Sequence, residues 1–305
     1  MTQEQIAYAN FIKAICESYN CADATKPLQE GFVALCGVQA LNEAANINID
    51  DDLAAKFAQT SQDIYKVTEW LANKINEFGD EFIQYLMPRL DDPKSHYNAM
   101  LSFNFSEMNL SEDFLKGVPP KLYVRFVKPE HSSMYPRGGN VTAFAYADTA
   151  GLLADLDEGW PEYAIVGIYM HPGMDNTDVI GRVIKRNLPH ELRHVVDTCD
   201  KATLQMMSDC LTNNVMAFAR SDFARYWDDP GEYYARLSEV VVFAMHVLSN
   251  PENRAQVHSA KDVVEMLSTK SSVYRRALGD VDETAKQLFD KNLEAILAKV
   301  MDKLI

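Results

Sequence analysis

Apolar residues recur every three or four positions through most of this chain and gather into β-branched and aromatic runs only in its middle. Ile6, Phe11, Ile12 and Ile15 keep the helical period. So do Leu53, Phe57, Ile64, Val67, Leu71 and Ile75 within "DDLAAKFAQTSQDIYKVTEWLANKINEFG". Residues 1 to about 90 therefore read as helices whose stripes pack a core, with Gly79 closing the second of them. "DDPKSHYN" (91–98) is a loop-like break and a candidate domain boundary. "KLYVRFVKP" (121–129), "NVTAFAYA" (140–147) and "YAIVGIYMHP" (163–172) read as strands, and "YPRGGN" between the first two suits a hairpin turn. The helical period returns from about 178 to 248, then over 259–278 and in the terminal "DETAKQLFDKNLEAILAKVMDKLI". There Leu288, Leu293, Ile296, Leu297, Val300 and Leu304 share one face.

Helices, a small sheet, then helices again is an α+β order rather than an alternating α/β one. It divides into a helical region over 1–95, a core over 96–250 and a C-terminal helical region over 251–305. With 305 residues, 47% hydrophobic and 24% charged, the chain can bury a sizeable core. Its formal net charge of −15 argues against a general nucleic-acid binder and against an anionic membrane surface, both of which attract basic faces. Cys16, Cys21, Cys36, Cys199 and Cys210 are an odd number without a CxxC pair, which fits buried thiols in a reducing compartment. "MTQEQIAYANFIKAICESYN" has neither the basic start nor the apolar core of a signal peptide, and no run reaches the length of a membrane helix. The expectation is a soluble protein of the cytoplasm, or one packaged in a virus particle.

One segment carries chemistry. In "RNLPHELRHVVDTCD" (186–200), His190 and His194 are four apart, so on a helix they project from one face and can share a tetrahedral cation. Glu191 lies one step round, where its carboxylate can act as base toward a water on that cation. HExxH is the zinc-peptidase pattern, but it is short and needs a third ligand. Pro189 bears on the histidines too, because it removes a helical hydrogen bond; the helix either starts or kinks there. If it starts there, the two histidines lie near its frayed end and can be an ordinary solvated pair.

His171, His246, Asp197, Glu232 and Glu239 are candidates for the third ligand. Asp197, three past His194, is better placed to hydrogen-bond a histidine than to reach the metal. Glu239 follows Ser238, a candidate helix start, and opens an apolar run in "DPGEYYARLSEVVVFAMHVL" (229–248). An acid among apolar neighbours needs a cation or another partner. Alternatively, Glu239 is a first-turn glutamate favoured by the helix dipole. Glu232 is the runner-up ligand. His246, seven beyond Glu239 on the same face, is either a donor behind a ligand or a core histidine.

HELRH followed some forty residues later by Tyr234, Arg236 and Glu239 at the head of an apolar helix resembles the gluzincin branch of the zincin metallopeptidases. It is similar in particular to compact phage or bacterial proteins with HELRHxxD and a later Y-x-x-R-P-x-E-x-x-A. Leu237 stands where that pattern has proline, and Val242 to Ala244 follow it less regularly. The likeness spans about 140–248. It implies a zincin-like core, a small twisted mixed sheet ahead of the active-site helix, whose edge strand pairs with an extended peptide. "NVTAFAYA" would be that edge and "AIVGIYM" its neighbour. It also implies Zn2+ on His190, His194 and Glu239, Glu191 as the base, and Tyr234 or Tyr233 as a donor to the developing oxyanion.

The expected function is thus a zinc-dependent metallopeptidase acting on a peptide or protein substrate, with no nucleic-acid or membrane partner. The competing reading is a zincin-fold structural or assembly protein whose zinc does no chemistry, self-associating or bound to an assembly partner.

Overall fold

The computed structural model describes residues 49–91, 99–131, 143–147, 163–199, 230–278 and 283–304. The chain divides into two compact units, one of residues 1–47 and 204–233, the other of 48–203 and 234–305. Of the first, only the residues from Pro230 to Tyr233 are described, and they form the opening turn of a helix that continues to Leu248. The expected helices before residue 49 lie outside the described residues, as do Cys16, Cys21, Cys36 and Cys210.

The second unit begins with α1 (Asp51–Asp91), a long helix whose buried stripe includes Ile64, Val67, Leu71, Ile75, Phe82 and Leu86. Gly79 does not end it. The residue takes φ 53° and ψ −135°, the helical path breaks, and a second arm resumes as far as Asp91. Then come β1 (Met100–Asn104), the short α2 (Glu112–Lys116), β2 (Lys121–Val127), β3 (Ala143–Ala147) and β4 (Tyr163–Tyr169). Helices α3 (Thr177–Cys199) and α4 (Pro230–Leu248) follow. Next are α5 (Pro251–Arg254), α6 (Ala260–Lys270), α7 (Ser272–Leu278) and α8 (Glu283–Leu304). Ser271 divides into two helices the stretch that reads as one from the sequence.

The strands form one mixed sheet in the order β1-β2-β4-β3. β1 runs antiparallel to β2, β2 parallel to β4, and β3 antiparallel to β4. β2 and β3 are therefore not the hairpin that "YPRGGN" suggests, because β4 lies between them. Among the described strands β3 lies at the edge with β4 beside it, the placing expected for "NVTAFAYA" and "AIVGIYM". β1 goes unread in the sequence, since five residues with only Leu101 and Phe103 as strong apolar signals make a weak strand pattern.

Leu122, Val124 and Phe126 of β2 stand opposite Ala164, Val166 and Ile168 of β4, all fully buried on one face. α1 and α3 supply the other side of this core, through Leu71, Ile75 and Phe82 and through Ile180, Ile184, Leu188 and Leu192. Trp70 meets Phe103 edge-to-face at 5.1 Å and Phe82 meets Phe126 at 5.4 Å. The helix assigned from the sequence to a separate N-terminal region thus shares its core with the sheet. α8 packs on α1 as well, with Lys299 2.7 Å from Asp51 and Asn292 accepting from the Ile49 amide at 3.2 Å. Among the described residues no helix is long and apolar enough to cross a membrane.

Candidate metal centre

The HELRH segment lies in the C-terminal half of α3. Asn176 caps the helix, its Oδ1 accepting from the Val179 amide at 2.9 Å, and Asp178 sits favourably in the first turn. Ile180, Ile184, Leu188, Leu192 and Val195 hold the helix on the core. Pro189 is inside the helix, neither its start nor its end. His190 follows more than three turns from the N-terminus at 3.6 residues per turn, so the histidines are not on a frayed end.

Arg186, His190 and His194 are spaced i, i+4, i+8 and form one stripe. Both imidazoles are partly buried, with ring centroids 4.8 Å apart and planes at 81°. Their Nε2 atoms face each other at 3.2 Å. Two nitrogens bound to zinc at 2.0–2.1 Å in tetrahedral geometry are separated by about 3.3 Å. The pair already has the spacing of one edge of that tetrahedron. Neutral imidazoles hydrogen-bonded to each other would also lie at this distance.

α4 supplies the acids. Glu232, in its first turn, joins His190 and His194 in a group whose ligand atoms all lie within 4.8 Å of one another. Two histidines and a carboxylate are a donor set that zinc accepts. Glu239 is placed differently. Its Oε2 is 3.8 Å from Nδ1 of His190, on the far side of the ring from the Nε2 pair. Its other oxygen, Oε1, is held by Arg276 of α7. Arg276 also donates to Oδ1 of Asn187 at 3.4 Å, and Arg236 donates to the Arg276 carbonyl at 3.2 Å. Burial, and then the charges of Arg186 and Arg236, push the Arg276 guanidinium down to about 10. Ser238 is no helix start. α4 begins at Pro230, a residue suited to a first helical position, so Glu239 lies mid-helix and the first-turn alternative falls.

Glu191 is buried beside the two histidines, 9% exposed. Asp197 is buried and pairs in two-pronged fashion with Arg193, Nε to Oδ2 at 3.0 Å and Nη2 to Oδ1 at 2.8 Å. Tyr234 is buried and stands edge-on to Phe57 at 5.8 Å, while the Arg193 guanidinium lies over both rings, at 4.1 Å from Phe57 and 5.2 Å from Tyr234. Tyr233 is buried as well. His246 packs on Tyr65 at 4.8 Å, and its Nδ1 is 3.1 Å from Glu69. Glu69 is shared with Lys185 of α3 at 2.7 Å. His171 follows β4 and lines a separate cleft with Met87, Met170 and Met174. Cys199 is a buried free thiol, pushed up to about 12 by burial.

No family model, curated protein or solved structure matches this chain. What can be said of the site therefore comes from its own atoms. Arg276 and Asn187 carry no signal in the sequence, and Arg236 enters there only as part of the Tyr234–Glu239 pattern. The i+4 step from Glu232 to Arg236 is readable there, but nothing local marks Arg276, 37 residues beyond the Glu239 it holds.

Proposed function

We propose that the protein is a zinc-dependent hydrolase of peptide bonds, with His190, His194 and Glu232 as metal ligands. The facing of the two Nε2 atoms at 3.2 Å, with a carboxylate within 4.8 Å of both, carries this reading. Bound there, zinc would supply a Lewis acid and a water of lowered pKa. Glu191 is the general base: it takes a proton from the attacking water and returns it to the leaving amine. Glu239 takes a different part from the ligand expected by likeness. It faces Nδ1 of His190 at 3.8 Å, where its negative charge favours the tautomer that carries the proton on Nδ1 and the lone pair on Nε2, and Arg276 holds the carboxylate in that position.

The experiment is metal analysis of the purified chain together with hydrolysis of an unfolded protein substrate. Stoichiometric zinc and chelator-sensitive cleavage are expected, with cleavage lost but zinc retained in Glu191→Gln. Absence of zinc after titration would overturn the proposal.

The second reading is a zinc that staples α3 to α4 without turnover, favoured by ligands drawn from two helices. It is upheld if chelation lowers the melting temperature and neither wild type nor Glu191→Gln cleaves any substrate.

A further inference from the structure

Three arginines from three helices converge next to these histidines, in a protein whose net charge is −15. Arg186 belongs to α3, Arg236 to α4 and Arg276 to α7. Arg236 and Arg276 are linked directly, and Arg276 is anchored by Asn187 and Glu239. Arg186 is exposed and, among the described residues, no carboxylate holds it. Like charges gathered in this way repel, and Arg276 is lowered first by burial and then by the charges of Arg186 and Arg236. Glu239 answers part of it, but its side chain is only 5% exposed while that of Arg276 is 33% exposed. The anion is thus buried while the cation it holds remains partly open to solvent.

We propose that Arg186 and Arg276, braced by Arg236, form a binding site for a carboxylate of the substrate peptide. The planar guanidinium fork suits that group, and a charge-assisted bond to it is stronger than a neutral one. Arg186 precedes His190 by one helical turn, about 6 Å along the axis at 1.5 Å per residue. An extended peptide advances about 3.3 Å per residue, so a carboxylate held there lies about two residues from a bond poised over the histidines. Its value for selecting the bond to be cleaved rests on the hydrolase reading; its value for binding an anion does not.

The test uses the full chain, zinc-loaded and chelated, with acetyl-Ala-Asp-Ala-amide, its Asn twin, and acetyl-Ala-Ala-Ala with a free C-terminus. Binding is read by calorimetry. At least one of the two carboxylate peptides should bind about tenfold or more tightly than the Asn twin, zinc or no zinc. Which of the two it is decides between a side-chain and a terminal carboxylate. Arg186→Gln, at an exposed position, should weaken that preference about fivefold or more with the melting temperature unchanged. Equal affinity for all three peptides, or an Arg186→Gln protein that binds like wild type, overturns the proposal. An acid preference without any cleavage leaves this site standing and removes the hydrolase. Zinc-dependent cleavage indifferent to acidic residues does the reverse.

Discussion

Nδ1 of His190 lies 3.8 Å from a carboxylate oxygen of Glu239, while Nε2 of the same ring lies 3.2 Å from its counterpart in His194. One imidazole thus has an acid on one side and the second histidine on the other. The two glutamates of α4, 232 and 239, are two turns apart on one face and stand in different relations to that ring.

That difference separates their variants. Glu239→Gln keeps the shape but removes the charge beside Nδ1 of His190, and zinc affinity should fall about 10- to 100-fold. Glu232→Ala removes a ligand and should cost more. Competition with a chromophoric chelator measures both. If Glu239→Gln costs more than Glu232→Ala, the assignment of ligand and support is reversed.

His246 gives the fold a pH dependence. Burial lowers it from 6.5, Glu69 works in the opposite sense by raising it, and Lys185 lowers it further. The unfolded chain therefore binds more protons than the folded one as pH falls through about 6.5 toward the folded value. Stability should decrease with acidification in that window and be fully present above it. Urea unfolding of His246→Gln, compared with wild type between pH 7.5 and 5, should show a shallower dependence in the variant.

Asp63 is fully buried in α1 and accepts from the Ser111 amide at 3.1 Å, the Ser111 hydroxyl at 2.6 Å, Gln59 at 3.1 Å and Lys66 at 3.3 Å. It pins the start of α2, which Ser111 caps, to α1. Asp63→Ala leaves those donors behind and should destabilise the protein by about 3 kcal/mol in urea titration. Asp63→Asn, which keeps one acceptor, should cost less.

The histidine stripe and its helix were legible because i, i+4 spacing is local and the motif brings its own mechanism. Glu239 was harder to place. The Ser-Glu step at 238–239 looks like a helix opening, yet Pro230 starts that helix nine residues earlier than Glu239. Its partner Arg276 comes from a separate helix, and no spacing rule reaches across 37 residues. The strand order failed for a similar reason. A turn-rich segment is a local signal for a hairpin, whereas the insertion of β4 between β2 and β3 is decided by which apolar faces pair across the sheet. Arg193 shows the limit in another way: within HELRH it reads as a charged surface residue, but it is 5% exposed, ion-paired to Asp197 and laid over two aromatic rings.

Gly79 takes a backbone conformation that L side chains rarely adopt. Nothing lies within 4 Å of where a Cβ would stand, so crowding would add no penalty. Gly79→Ala should nonetheless cost about 1–3 kcal/mol from the backbone alone, measurable as a lowered urea midpoint.

That residue works as a mitre joint in α1. Beyond it the second arm runs twelve residues to Asp91, about 18 Å at 1.5 Å per residue, and bears Phe82, Leu86 and Leu90 on the core. A small change of angle at the joint becomes a displacement of several ångströms at the tip. The first arm, carrying Glu69 and Asn76 against α3, would stay in place while the tip swung away. A single dihedral pair thus keeps the arm that braces the histidine helix aligned with the arm that covers the sheet.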